Sequence, residues 1–476
     1  RFGGAPCVLL GQDRRGQQTS LLGPADLREA RRGMRLATEL DLPLVTVIDT
    51  AGAALSKEAE EGGLAGEIAE VVGIVDDMHD RLDETARVPL RRPQLPAQQH
   101  RRVALPQLLH RGLDLESGLL AMLAGDVVDL RLKKNKKEWA EVFATRFQKM
   151  NSRDGISLYL HLPFCEKLCT YCGCNTRITK NHKVEEGYIE AVLSEWQMYL
   201  EQFDEKPVVR ALHLGGGTPT FFSPDNLQYL LNGILEPAIV PQHHDFSFEG
   251  HPNNTTEKHL QTLFELGFRR CSYGVQDYDI KVQKTINRIQ PFRNVEAVTE
   301  NSKNIGYNSV SHDLVFGLPH QTVEGMVETI QKTGQLMPDR ISFYSYAHVP
   351  WIKGVGQRGY DEKDLPGPEE KRALYETGKR LLSELGYVEI GMDHFALKTD
   401  SMYKAMENKT LHRNFMGYTA GKTQLMIGLG MSAISDSWYS FAQNVKSVEE
   451  YSEIVNSGEI PLLKGHLLSE EDLVIR

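Results

Sequence analysis

Short apolar runs alternate with longer amphipathic stretches from residue 157 to residue 346, and this alternation limits the fold more than any other feature of the chain. The runs are Ser157–Leu162, Val209–Leu214, Asp245–Phe248, Arg270–Val275, Ser309–Phe316 and Ile341–Tyr346. Their length and their β-branched and aromatic content predict strands. Between them, Glu185–Phe203, Asp225–Leu235, Glu257–Leu266 and Thr322–Gln335 carry apolar residues at helical spacing. Strands separated by helices predict βα units on a parallel sheet, hence an α/β fold. Six such units can wrap into an open or partial barrel, with the chemistry at the carboxyl ends of the strands.

Net charge sets limits on partners. At −10 the chain has no electrostatic support for a nucleic-acid partner. No uninterrupted apolar stretch is long enough to span a bilayer, and no basic start leads into an apolar signal core. The first residue is Arg1, so a preceding segment is expected. Six cysteines are too few for a disulfide scaffold in 476 residues. Cys165, Cys169, Cys172 and Cys174 fall within ten residues, which reads as a metal or redox site in a reducing cytoplasm. Cys7 and Cys271 have no partner in sequence and read as packing residues.

Composition breaks near residue 132. Residues 1–132 hold 15 Arg and one Lys, whereas residues 133–476 hold 14 Arg and 24 Lys. All 17 Tyr and all 4 Trp lie in the second stretch. Two coding stretches of different base composition would produce this, through a natural fusion or a join made in sequence assembly. Sequencing a single transcript across the junction decides between the two. Within the first stretch, Val8–Gly11 and Leu44–Ile48 predict strands and Asp26–Leu40 a helix. Residues 78–132 read as a linker. Residues 80–112 within it are rich in Arg, Pro, Gln and His, and Leu113–Leu132 is helix-compatible without an obvious partner.

The segment from Leu160 to Asn175 follows the first strand directly, so its cysteines project from a loop at a strand end. Gaps of three and then two residues let one loop wrap a single centre. Thiolates suit zinc or an iron–sulfur cluster. Zinc would need a fourth ligand, which Cys174 or His161 could supply, and a redox dithiol would need only two cysteines. A four-iron cluster on three cysteines leaves one iron free for a ligand. Elsewhere, Gly215, Gly216 and Gly217 follow the second strand, where missing side chains permit close approach of backbone or merely a tight turn. Glu249 ends the third strand, as a group for an ammonium or ribose hydroxyl or as a solvated acid. Gln276 and Arg288 offer amide and fork-shaped donors, or ordinary surface polarity.

The pattern Cys165-x3-Cys169-x-Tyr171-Cys172 after a strand resembles the signature of radical S-adenosylmethionine (SAM) enzymes. In that superfamily the open iron chelates the methionyl amino and carboxylate groups, and one-electron cleavage of the sulfonium gives a 5′-deoxyadenosyl radical. Gly173-Cys174-Asn175 narrows the resemblance to oxygen-independent coproporphyrinogen III oxidase, also called coproporphyrinogen dehydrogenase, over about residues 136–476. Further support comes from His213–Thr220, Gly274–Asp277, Asn287-Arg288, Asp313–Pro319, Tyr346–His348, Gly391–Ala396, Leu411–Phe415 and Met431–Ser435.

The resemblance implies a partial parallel βα barrel of the radical SAM type, a [4Fe-4S] cluster on Cys165, Cys169 and Cys172, and two SAM molecules. Tyr159, Gly216, Glu249 and Ile434 match one SAM set. Tyr171, Gly217, Thr218, Gln276, Arg288, Asp313 and Ala347 match the other. Cys174 matches a cysteine needed for activity that is not a cluster ligand, and Tyr159 is expected to act in catalysis as well. The implied substrate is coproporphyrinogen III, oriented through its carboxylates by unassigned Arg and Lys. The implied reductant is a small electron-transfer protein, and the implied enzyme is a cytoplasmic monomer. The family's Tyr/Pro-rich lead-in is not found, and the chain stops where the family continues into a helical C-terminal domain. Cluster binding without full oxidase turnover is therefore expected.

Val8–Arg14, Gly23–Ala37, Leu44–Thr50 and Glu61–Ala69 resemble acyl-CoA carboxyltransferase subunits, implying a crotonase-like α/β fragment over about residues 6–77. Gly62 and Gly63 would form one oxyanion-stabilising turn. A second such turn and the carboxybiotin site are missing, so this fragment is expected to be inactive. Two further functions compete with the oxidase. A related haem-binding chaperone shares the barrel and the three cysteines, but Gly173-Cys174 and His412-Arg413-Asn414-Phe415 favour the oxidase. A biotin-dependent carboxyltransferase rests on the N-terminal stretch alone.

Overall fold

The structure is a computed structural model that describes residues 8–12, 44–48, 136–350, 356–391, 393–421 and 423–468. The chain forms two compact units, residues 1–127 with 468–476, and residues 128–467. In the first, strands β1 (Val8–Gln12) and β2 (Leu44–Ile48) pair in parallel, with Val8 opposite Leu44. Both are predicted strands. The predicted helix Asp26–Leu40, the linker over 78–132, the helix-compatible Leu113–Leu132 and the Gly62-Gly63 turn lie outside the described residues.

The second unit is organised by one twelve-stranded sheet. Its parallel centre holds all six predicted strands: β3 (Ile156–Leu162), β6 (Val209–Gly216), β7 (Asp245–Gly250), β8 (Arg270–Gln276), β9 (Ser309–Phe316) and β10 (Arg340–Ser345). Two short strands, β4 (Phe164–Cys165) and β5 (Arg177–Ile178), bracket the cysteine loop.

Period-two patterning places β3 in this sheet. Ile156, Leu158, Leu160 and Leu162 face a core with Tyr188, Ile189, Val192 and Trp196 from the predicted first helix, α2 (Val184–Leu200). Burying each such aliphatic side chain contributes about 1.5–3 kcal/mol. The alternate residues Ser157, Tyr159 and His161 consequently line the opposite, inner face.

The other predicted helices are α3 (Pro224–Leu235), α4 (Glu257–Glu265) and α7 (Val323–Leu336). Each begins where a Ser or Thr side chain accepts a backbone N–H: Ser223 from Asn226, Thr256 from His259 and Thr322 from Gly325.

Several elements escape periodicity. Helix α6 (Phe292–Ile305) joins β8 to β9, but its buried face includes Thr299 and Ser302 beside Val295 and Val298. Two hydroxyls dilute the apolar stripe. Helices α1 (Lys136–Asp154), α5 (Ile280–Thr285) and α8 (Pro368–Glu384) likewise lie outside the predicted set. Strand β15 (Met426–Leu429) lies parallel to β3 on the side away from β6, with Gly428 opposite Tyr159. Gly428 has no room for a side chain, because a Cβ there would lie 2.4 Å from the Ile434 carbonyl oxygen. At the far edge, β12 (His394–Ala396) runs antiparallel to β10. Buried Cys271 packs in the core, as predicted.

Candidate active site

The six parallel strands end on one rim, and the cysteine loop leaves that rim from β3. Its backbone is tied on several sides. Thr170 N–H donates to the Ile286 carbonyl at 3.0 Å, and Asn287 Nδ2 donates to the Leu168 carbonyl at 2.8 Å. Gly356 N–H donates to the Cys172 carbonyl at 3.0 Å, and Tyr360 Oη to the Thr170 carbonyl at 3.1 Å. Asn175 Nδ2 donates to Ser432 Oγ at 2.8 Å on the β15 side.

Two glycines pass beneath the loop. A Cβ on Gly217 would lie 2.5 Å from the Pro163 carbonyl oxygen, and one on Gly216 would lie 2.9 Å from the His161 ring. Gly216 has φ +109, which further favours glycine. Close backbone approach, rather than a loose turn, explains this pair.

Cys165, Cys169 and Cys172 are free, partly exposed thiols. Cys165 Sγ and Thr218 Oγ1 are hydrogen-bonded at 3.3 Å. Arg288 Nη1 donates to Cys169 Sγ at 3.6 Å, while its Nη2 donates to the Gly274 carbonyl at 2.6 Å. Arg288 Nε is buried without a partner. A Cβ on Gly274 would meet that guanidinium at 2.8 Å.

Burial pushes the Cys165 thiol up to about 11. A side-chain hydrogen bond from Cys174 brings Cys172 down to about 7, and the same bond holds Cys174 well above the usual thiol range. Cys174 N–H also points at Cys172 Sγ, 3.4 Å away. The fourth cysteine thus lies beside the third as a hydrogen-bond donor.

Among the described residues no three His, Cys, Asp or Glu side chains close on a single ion. A four-iron cluster takes its thiolates on different irons and does not require that convergence. Three thiols on one tethered loop, an adjacent guanidinium and a buried unpaired donor fit a cluster carrying an anionic ligand.

The inner face of the rim is polar. Tyr159 Oη and His161 Nδ1 are 3.1 Å apart, and His161 Nε2 is 2.9 Å from the Asn175 carbonyl. A carbonyl only accepts, so Nε2 carries the proton and Nδ1 accepts from Tyr159. Burial lowers the His161 pKa and keeps the ring neutral. Tyr159 packs parallel to His213 and edge-on to Phe415, with ring centroids 6.1 and 5.2 Å apart. His213 Nδ1 reaches Ser247 Oγ at 2.8 Å and its Nε2 reaches Glu249 Oε1 at 3.3 Å.

Across the rim Asp313 accepts from Ser272 Oγ at 3.0 Å. Burial, reinforced by the Glu249 charge, pushes its carboxyl up to about 6. Gln276 ends β8 at φ +68 while buried, a backbone position unfavourable for a side chain and common near functional sites.

The structure places five of the predicted site residues on five adjacent strands: Gly216, Glu249 and Gln276 at or beside the carboxyl ends of β6, β7 and β8, and Tyr159 and Asp313 midway along β3 and β9. Tyr171 and Thr218 lie in loops at the same rim, and Tyr171 packs against the cluster that contains Val282 and Tyr346. Ala347 follows β10, its carbonyl accepting from Gln357 Nε2 at 2.7 Å. Ile434 opens β16 (Ile434–Asp436), a strand antiparallel to β15. Sequence reasoning misses the part His161 plays in fixing Tyr159, although period-two spacing puts the two on one face. Asp277 is structural: it is buried and accepts from Gln321 Nε2, Thr329 Oγ1 and Asp279 N–H at 2.6, 3.2 and 2.6 Å.

A partial parallel barrel with this cysteine loop defines a radical SAM enzyme. Residues 159–333 match the model of the Radical SAM superfamily, and residues 1–79 match that of acetyl co-enzyme A carboxylase carboxyltransferase-like proteins. The oxygen-independent coproporphyrinogen III oxidase of Helicobacter pylori is 39% identical over 322 residues, covering 67% of this chain and 70% of that protein. Coproporphyrinogen III oxidase, anaerobic 1, of Cereibacter sphaeroides is 39% identical over 319 residues with the same coverage. The solved coproporphyrinogen III oxidase (HemN) from Escherichia coli, a radical SAM enzyme, superposes with a TM-score of 0.67 at 33% identity, covering 74% of this chain and 81% of that one. The chain belongs to the oxygen-independent coproporphyrinogen III oxidase family.

Proposed function

We infer that this chain oxidatively decarboxylates two propionate side chains of coproporphyrinogen III to vinyl groups, yielding protoporphyrinogen IX in anaerobic porphyrin biosynthesis. The observation that carries this reading is the loop of Cys165, Cys169 and Cys172 at the rim, with Cys174 hydrogen-bonded to Cys172. Each conversion turns a propionate into a vinyl group, CO2, one proton and two electrons. The hydrogen removed is an unactivated β-C–H, too weak an acid for any side-chain base.

Cys165, Cys169 and Cys172 would hold a [4Fe-4S] cluster and leave one iron open. When bound, cluster and SAM together supply a 5′-deoxyadenosyl radical by one-electron cleavage of the sulfonium C–S bond. Tyr159, Gly216, Glu249 and Ile434 are assigned to one SAM molecule. Tyr171, Gly217, Thr218, Gln276, Arg288, Asp313 and Ala347 are assigned to the second. Arg288 Nε is a buried donor with no other partner, suited to a carboxylate. Glu249 offers a carboxylate to an ammonium or a ribose hydroxyl. Tyr159, fixed by His161 and Phe415, forms one rigid wall. Cys174 is exposed beside Cys172, its N–H 3.4 Å from that sulfur, where its thiol could give or take a proton.

A small electron-transfer protein is the proposed reductant, and a cytoplasmic monomer the proposed setting. No helix among the described residues is long and apolar enough to cross a membrane. The deciding experiment is anaerobic reconstitution with iron and sulfide, followed by assay of 5′-deoxyadenosine with and without coproporphyrinogen III. Substrate-stimulated 5′-deoxyadenosine with porphyrinogen product supports the reading. Tight haem binding without cofactor cleavage overturns it.

A further inference from the structure

We propose that the surface formed by α5 and the turn after it is the docking site for a small acidic one-electron carrier protein. The proposal rests on the cluster assignment above and gives its reductant a place to bind. Residues 280–293 contain Lys281, Lys284, Arg288 and Arg293 and no acid, in a chain whose net charge is −10. Asp279, just before them, is turned onto the N–H groups of Lys281 and Val282. Lys281, Lys284 and Arg293 are exposed, and none forms an ion pair among the described residues.

The same stretch carries two exposed large apolar side chains: Ile280 is 53% and Ile289 55% exposed. Exposed large apolar side chains in a basic stretch suit a transient docking surface.

This patch is also one layer from the thiols. The Ile286 carbonyl, Asn287 side chain and Arg288 guanidinium bond directly to Thr170, Leu168 and Cys169. A carrier seated on Ile289 would therefore approach the Cys169 side of the loop through a single turn of backbone. The electron count is simple: the carrier loses one electron and the centre held by the three thiolates gains one. In a chain whose net charge is −10, this basic stretch would attract and orient an acidic partner.

The test uses the full chain, reconstituted, and a reduced acidic flavodoxin as the probe. Calorimetric titration should show binding that weakens steeply with added salt. K281E/K284E and, separately, Ile289→Asp should each weaken it about tenfold or more without shifting the melting temperature. Carbodiimide cross-links from flavodoxin carboxylates should map to Lys281 or Lys284. Both variants should still accept an electron from dithionite at the wild-type rate, since a small reductant needs no docking surface. Wild-type affinity in both variants, cross-links confined to other lysines, or no binding by the wild-type chain overturns the proposal. A chain that binds flavodoxin here but shows no cluster absorbance refutes the cluster assignment and leaves the surface standing.

Discussion

Arg288 donates from one guanidinium nitrogen to the sulfur of Cys169 at 3.6 Å, across 119 residues of chain, while its Nε remains buried with nothing to bind. The side chain thus does two things. It places a positive charge beside a ligating thiolate, and it holds a donor ready for an anion. Arg288→Lys keeps the charge but loses the fork. We expect it to retain iron after reconstitution and to bind SAM about tenfold more weakly, measured by equilibrium dialysis.

Cysteine substitutions should separate ligands from neighbour. Alanine at Cys165, Cys169 or Cys172 should abolish the cluster, read as iron content and charge-transfer absorbance. Cys174→Ser should keep the iron of the wild-type chain, because Cys174 meets Cys172 as a hydrogen-bond donor. Its porphyrinogen formation should nonetheless fall by about 100-fold or more, the usual scale for a lost proton-transfer group.

Gly217→Ala would drive a Cβ to 2.5 Å from the Pro163 carbonyl oxygen, and backbone on both sides must shift. A loss of about 1–3 kcal/mol is expected from thermal or urea unfolding. Gly187, exposed in α2, provides the contrast, because a methyl group there would meet nothing within 4 Å. Gly187→Ala should stabilise by about 0.5–1 kcal/mol.

Glu195 is buried, and burial pushes its pKa up to about 7 although Gly430 N–H, Tyr451 Oη and Asn444 Nδ2 all donate to it. A raised carboxyl pKa means that the folded state binds the proton more tightly than the unfolded state. Its contribution is thus fully present below the ordinary carboxyl range and is lost as pH rises toward about 7. The wild-type melting temperature should fall between about pH 5 and pH 8, and Glu195→Gln should flatten that slope. An unchanged slope in the variant would assign the pH response to other groups.

The order of strands and helices was legible because periodicity is a local property. Six parallel strands, four helices and the cysteine loop follow from apolar spacing and residue type over short windows. The loop even announces its chemistry, since thiols three and two residues apart can serve one centre wherever the strand points. Local spacing failed where the buried face is polar, as at Thr299 and Ser302 of α6, and where glycine thins a strand, as at Gly428 of β15.

Tertiary structure alone decided which distant groups share the rim. Phe415 comes to rest on Tyr159, His213 bridges toward Glu249, and Arg288 reaches Cys169. None of these pairs shares a helix turn or a strand period. His213 meets Glu249 because parallel pairing sets β6 beside β7, whereas Phe415 and Arg288 come from connections between elements that pack over the same face of the sheet.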